Sequence, residues 1–106
     1  MKQLSLSQYG PVISSHDVGN EIYKKIVKLI EGNNTLEVDM RSITTMATFC
    51  AKQIFGTLYV SLSAEVFYNR IKVTNANSDV QMIIRSGILS ALTAQKDKKK
   101  VVQDSE

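Results

Sequence analysis

The residues of this chain that could do chemistry are few: one cysteine (Cys50), one histidine (His16), and a set of threonines (Thr44, Thr45 and Thr48) that follows the carboxylate of Asp39. A lone cysteine rules out an intramolecular disulfide, and one cysteine with one histidine leaves too few ligands for the usual zinc site. His16 stands beside Ser14, Ser15 and Asp17, the residue types of a hydrolase triad. Triad members must meet in space around an oxyanion hole, which neighbours in sequence rarely do, so the segment reads as a loop leading into a helix. Asp39 is one carboxylate, too few for a specific cation site, and reads as structural. No catalytic residue, metal or cofactor is assigned, and the chain is read as a non-enzyme.

Thr48 offers more. It is placed at the start of a helix, where unpaired backbone N–H groups and the positive end of the helix dipole stabilise a phosphate carried on the hydroxyl. The plainer role for the same residue is to cap its helix, worth about 1 kcal/mol. Phe49 follows directly, and an aromatic ring that points outward at a helix start is the kind of anchor that dominates protein interfaces. Cys50, in the first turn, reads as a buried thiol, since free cysteines are among the most buried residues.

The elements that must position these residues follow from length and patterning. A chain of 106 residues encloses one core, and 43% apolar with 22% charged residues is the balance of a folded domain. The net charge of +3 is spread out: residues 1–95 carry nine Lys and Arg against seven Asp and Glu, which argues against a nucleic-acid interface. No run reaches the roughly 18 apolar residues of a membrane span, and the N-terminus lacks the apolar stretch of a secretory signal. A soluble, cytoplasmic domain is expected.

Leu4 and Leu6 alternate with polar residues as in a short strand, Gly10-Pro11 marks a turn, and Val12-Ile13 is read as the start of a second strand. Asp17 is the expected N-cap of a helix with Ile22, Ile26, Leu29 and Ile30 on one face, stopped by Gly32-Asn33-Asn34; Lys24, Lys25 and Lys28 then mostly face water. Leu36, Val38 and Met40 give the clearest strand, 35–40. Ala51, Ile54, Phe55, Leu58 and Leu62 have the spacing of a second helix beginning near Thr48, and Ile71 to Thr74 form another strand. Ser78 with Gln81 has the capping-box pattern of a last helix, whose stripe Val80, Ile84, Ile88, Leu92 should close over the sheet. From Lys96 the periodicity is lost, so 1–95 is assigned to one domain and 96–106 to a flexible charged tail. Alternating strands and helices make the fold class α/β, with right-handed crossovers.

The stretch Thr35 to Gly56, TLEVDMRSITTMATFCAKQIFG, resembles the signature of STAS domains, the family of anti-sigma factor antagonists and of the cytoplasmic tails of sulfate transporters. Leu36, Val38 and Asp39 match its strand, Ile43 the apolar anchor of its loop, Thr48 its hydroxyl position and Gly56 a glycine inside its helix. Phe49, Gly56 and Asn75 bring the chain closer to a small stand-alone STAS-like branch without settled function, over roughly residues 8–92. The resemblance implies an α/β fold with about four strands in a mixed sheet covered by three helices. It also implies a regulatory module that binds a protein partner, an ATP-binding kinase or an anti-sigma-like regulator in a bacterial cell, and that is switched by phosphorylation at Thr48. Two positions depart from the family pattern: Ala47 stands where the switch usually has an aspartate, and Cys50 where it has a glycine.

The expected contact surface is the N-terminal end of the second helix, with Thr44, Thr45, Thr48 and Phe49 at its centre and Asp39 beside it. Two alternatives are a module that binds a nucleotide or other small ligand at the same helix end, and a structural homo-oligomer built through the edge strand near Leu4 or through Phe49.

Overall fold

The computed structural model of the protein describes the backbone of residues 1–104 and the side chains of residues 1–95. Two sheets replace the expected four-stranded mixed one. Strands β1 (Lys2–Ser5), β3 (Leu36–Asp39) and β5 (Ile71–Thr74) form a parallel sheet in the order β1-β3-β5, while β2 (Val12–Ile13) and β4 (Thr45–Met46) make a separate two-residue parallel pair. Strand β4 has no sequence signal of its own, because two residues are too few to show a period of two. It exists because β2 offers it a ladder: the Ala47 N–H donates to the Ile13 carbonyl at 2.8 Å, and the Thr44 N–H to that of Pro11 at 2.8 Å.

In the three-stranded sheet the register sets Leu36 beside Ile71 and Val38 beside Val73, so one face carries the apolar residues. Leu36, Val38 and Ile71 are buried, and they join one core with Leu6, Ile13, Ile22, Ile26, Ile54 and Phe55. The other face carries Gln3, Glu37 and Thr74, joined side by side: Gln3 Nε2 donates to Glu37 Oε1 at 3.1 Å and Thr74 Oγ1 to Glu37 Oε2 at 2.8 Å.

Helix α1 (His16–Leu29) is capped by Ser15, whose Oγ accepts from the Val18 N–H at 3.1 Å; the expected cap, Asp17, sits instead in the first turn. The serine wins because its extended backbone (φ −124°, ψ 146°) aims the hydroxyl at the free amides. The helix closes at Gly32, whose φ of +70° is the left-handed conformation that ends many helices. Of the lysines on α1, Lys25 does not simply face water: its Nζ donates to Tyr9 Oη and lies 5.0 Å from the Tyr9 ring centre.

The second helix begins at Thr48, as the spacing requires, but it is not uniform. It runs as α2 (Thr48–Ala51), a π-helical segment (Lys52–Gly56) and α3 (Thr57–Leu62). Such widened turns are rare and occur mostly as single turns within α-helices, and this one lies against a close neighbour. Here the neighbour is the last helix, α5 (Ser78–Asp104), which packs most extensively along this segment and not across the sheet as expected. Gly56 and Gly87 are the meeting point: a Cβ on Gly56 would lie 2.8 Å from the Gly87 carbonyl oxygen, and one on Gly87 would lie 2.6 Å from the Lys52 nitrogen.

Between the second helix and β5, the chain turns at Ser63 (φ 80°, ψ 158°) into a further short helix, α4 (Ala64–Arg70), which periodicity does not announce. Seven residues ending beside an arginine-capped turn carry too little pattern, and α4 is held by its tertiary partners. Arg70 donates to the Ile30 carbonyl at 3.3 Å and to Asn33 Oδ1 at 3.1 Å, and Phe67 packs against Tyr59 with ring centres 5.4 Å apart.

The N-cap of α5 is Asn77, not Ser78. Asn77 Oδ1 accepts from the Val80 N–H at 2.8 Å, while Gln81 Nε2 reaches past the expected cap to the Ala76 carbonyl at 2.8 Å. Helix α5 crosses residue 95, the expected boundary of the domain, without interruption to Asp104. The side chains of the expected tail, 96–106, lie outside the described residues. No helix of the described residues is long and apolar enough to cross a membrane.

Candidate functional site

The five residues read from the sequence as a surface lie along the ends of β3 and β5 and the start of the second helix, and the structure divides them into three local arrangements. Asp39 closes β3. Its Oδ1 accepts from the Arg41 N–H at 2.9 Å and from Asn75 Nδ2 at 3.1 Å. Asn75 adopts the left-handed conformation (φ 58°), which an amide side chain tolerates better than most, and so β5 ends with its amide turned toward β3. The backbone donor at Arg41, followed by the Asn75 amide, holds the Asp39 carboxyl below the usual aspartate range. Asp39 is thereby a brace between two strand ends.

A pH dependence follows. A carboxylate with a lowered folded value stabilises the fold above its unfolded value near about pH 4, and that contribution is lost as the pH falls through the folded value. Asp39→Asn should therefore be less stable than the native chain at neutral pH, with the gap closing as the solution is acidified. Urea midpoints measured from about pH 7 to about pH 2 read it directly. A gap that stays constant with pH means that the charge of Asp39 is not what the two donors hold.

Thr44 is tied down through its backbone and Thr45 through its hydroxyl, and the Thr44 side chain stays exposed. The Thr44 carbonyl accepts from Asn77 Nδ2 at 2.9 Å, and Thr45 Oγ1 donates to Asp79 Oδ2 at 2.7 Å. One asparagine thus caps α5 and ties it to the loop before β4, while the acid in the first turn of α5 takes the threonine hydroxyl. The loop is fixed in place, and Thr45 is half-buried, with its hydroxyl bond to Asp79 on the exposed side.

Thr48 and Phe49 form the exposed part. The N-cap position belongs to Ala47, which has no side chain to cap with, so Thr48 is the first helical residue and does not cap its own helix. The Thr48 hydroxyl is exposed and makes no hydrogen bond among the described residues. Helix geometry leaves the first amides without intrahelical partners, and the first bonds here come from the Cys50 and Ala51 N–H groups, both to the Ala47 carbonyl at 3.0 and 3.2 Å. The Thr48 hydroxyl consequently sits beside backbone donors that have no partner among the described residues.

Phe49 is 42% exposed, yet its ring is not loose. It lies against the imidazole of His16, with ring centres 4.4 Å apart and planes inclined at 37°. His16, the first residue of α1, is therefore part of this surface, a role that sequence neighbours could not disclose because its partner lies 33 positions away. Gln53 reinforces the same junction by donating from Nε2 to the His16 carbonyl at 3.0 Å. Its Oε1 is buried against Gly19 and has no partner among the described residues.

Cys50 points the other way. It is fully buried, its Sγ donates to the Ser15 carbonyl at 3.5 Å, and burial pushes its thiol pKa up. The buried thiol joins the start of the second helix to the N-cap of α1. Ser15 spends its hydroxyl on the cap of α1, and the His16 imidazole faces the Phe49 ring. Among the described residues no three His, Cys, Asp or Glu side chains gather as metal ligands would.

Comparison with known families matches residues 18–81, from the first turn of α1 to the first turn of α5, to a model described as a STAS-like domain of unknown function. No curated protein and no solved structure matches the chain.

Proposed function

The chain belongs to the family of STAS-like domains, since the match spans more than half of its length, and from that premise we propose that it is a non-enzymatic regulatory module which binds a protein partner through Thr48 and Phe49. The observation that carries the reading is the pairing of an unbonded, exposed hydroxyl with a half-exposed aromatic ring that His16 holds in position. A ring already held against a neighbour loses little further freedom on binding, which is the condition under which an aromatic anchor contributes most. By resemblance to anti-sigma factor antagonists, the partner is an ATP-binding kinase or an anti-sigma-like regulator of a bacterial cytoplasm.

Such a kinase would move the γ-phosphoryl group of ATP to Thr48 Oγ1, releasing ADP and the hydroxyl proton. The added charge of nearly two would be stabilised by the adjacent free amides and would oppose a partner seated on the neutral helix end. The Ala47 position lacks the carboxylate common in the family switch, which leaves the approach to Thr48 without that negative charge.

Two measurements test the reading. Intact-mass analysis of the protein from its native host should show one phosphate that Thr48→Ala removes; a mass that stays unmodified ends the switch. A photo-crosslinking residue introduced at position 49 should then join a partner in the host that the same residue at exposed Lys24 does not, and Thr48→Glu should suppress it. Equal crosslinking from both positions, or none at 49, overturns the interaction surface itself.

A further inference from the structure

Strand β5 is an end strand: the order β1-β3-β5 leaves its outer edge without a strand beside it. Its inner edge is settled by the register with β3 and by the Met40 N–H, which donates to the Thr74 carbonyl at 2.9 Å. Backbone groups along a parallel ladder alternate sides residue by residue. Lys72 and Thr74 therefore direct their amides and carbonyls to β3, and Ile71 and Val73 direct theirs away from it, where the Ile71 amide is taken by the Phe67 carbonyl and the Val73 amide faces the open edge.

Beside that outer edge runs a cleft of about 670 Å³, walled by one flank of α5 and by the aromatic turn from α3 to α4. Its lining is mainly apolar, and two of the side chains on it are far more exposed than their chemistry favours, Tyr68 at 66% and Leu89 at 58%. The charged residues of the lining are Lys72 and Arg85, with no carboxylate among them. Neither is ion-paired among the described residues, where the pair formed is between Lys25 and Glu21.

We propose that this cleft receives an extended segment of a protein partner as an added strand on β5, with apolar side chains alternating with carboxylates. The edge supplies the Val73 amide and carbonyl for main-chain bonding, which is how strand addition gains affinity without sequence demands. Side chains of an added strand alternate between faces. One set enters the apolar walls formed by Ile88, Leu89, Leu92 and Tyr68; the other emerges on the face of Lys72, where carboxylates meet its charge. A second copy of this chain is the wrong occupant, because pairing β5 with β5 would set Lys72 and Arg85 against themselves. A small amphiphilic anion would use the walls and the cations but leave the outward amide idle. This surface is separate from Thr48 and Phe49, and its test does not depend on them.

An array of nonapeptides alternating Val, Ile, Leu or Phe with Glu, set beside a matched series with Lys, provides the probe for the full chain. The Glu series should bind and the Lys series should not. Arg85→Glu combined with Lys72→Glu should weaken the best Glu peptide at least tenfold. Val73→Pro removes only the outward amide, which β3 does not use, and so should weaken it while leaving the circular dichroism and melting temperature near native. Failure of the whole Glu series to bind overturns the proposal, as does equal binding of the Lys series. Self-association by light scattering that Val73→Pro abolishes would hand the cleft to a second copy, full-strength binding of the Glu peptide by a well-folded Val73→Pro would overturn strand addition, and single-site binding of dodecanoate without peptide binding would hand the cleft to a small anion.

Discussion

Gly87→Ala should cost the protein about 2 to 3 kcal/mol, although alanine is the better helix former. In an exposed helix the change gains about 1 kcal/mol. Here the new methyl would lie 2.6 Å from the Lys52 nitrogen, 2.7 Å from the Ala51 carbonyl carbon and 2.8 Å from the Ala51 Cβ. Backbone atoms cannot rotate away as a side-chain tip can, so α5 and the π segment must separate. Overpacking of this kind costs typically 1–3 kcal/mol, at times more, and this contact belongs at the upper end because both helices carry buried residues on either side of it. At the size of this chain the net loss lowers the melting temperature by roughly 10 to 20 °C. Ser86→Ala, one position away on the exposed face, is the control and should leave stability within about 0.5 kcal/mol. A Gly87→Ala protein that melts with the native chain would refute the close crossing of the helices.

The two phenylalanines of the second helix should separate cleanly. Phe55 is wholly buried beneath α5, and Phe55→Ala should cost about 3 to 5 kcal/mol, a large share of the 5–15 kcal/mol that holds a domain of this kind together. Phe49 is 42% exposed and packs chiefly on His16, so Phe49→Ala should cost roughly 1 kcal/mol. What Phe49→Ala should lose is binding: if the ring anchors the partner, affinity falls at least tenfold while the fold survives. Urea unfolding of both variants decides the first half and titration with the crosslinked partner the second. Equal destabilisation by the two substitutions would make Phe49 a core residue, and the interaction surface would have to be sought elsewhere.

The same comparison marks what was legible in the chain. Phe55 falls on the periodic stripe with Ile54 and Leu58, and burial follows from the period. Phe49 falls off that stripe, but whether its ring points outward or into the core was left open by the sequence, and that His16 holds it was not readable, because a contact across 33 positions leaves no local trace. Capping shows the same limit. Both misread caps, Asp17 for Ser15 and Ser78 for Asn77, lie within two residues of the true one, since several side chains in each segment can accept the bond and backbone conformation selects among them. Thr44 is exposed, but neither the bond from Asn77 to its carbonyl nor the one from the Thr45 hydroxyl to Asp79 was legible, because both partners arrive from more than 30 positions away.

By itself the sequence determined an α/β alternation, the strand 36–39, the start of the helix at Thr48 and the kinship with STAS-like domains, because periodicity and short motifs are local properties of the chain. The tertiary structure decided that the strands divide into three and two, that α5 lies on the second helix and not on the sheet, and that β5 is left with an open edge. Those outcomes depend on which surfaces approach closely enough to exclude water. At Gly56 and Gly87 the approach is set by the absence of a side chain on both helices at once, a coincidence that exists only when the two segments meet.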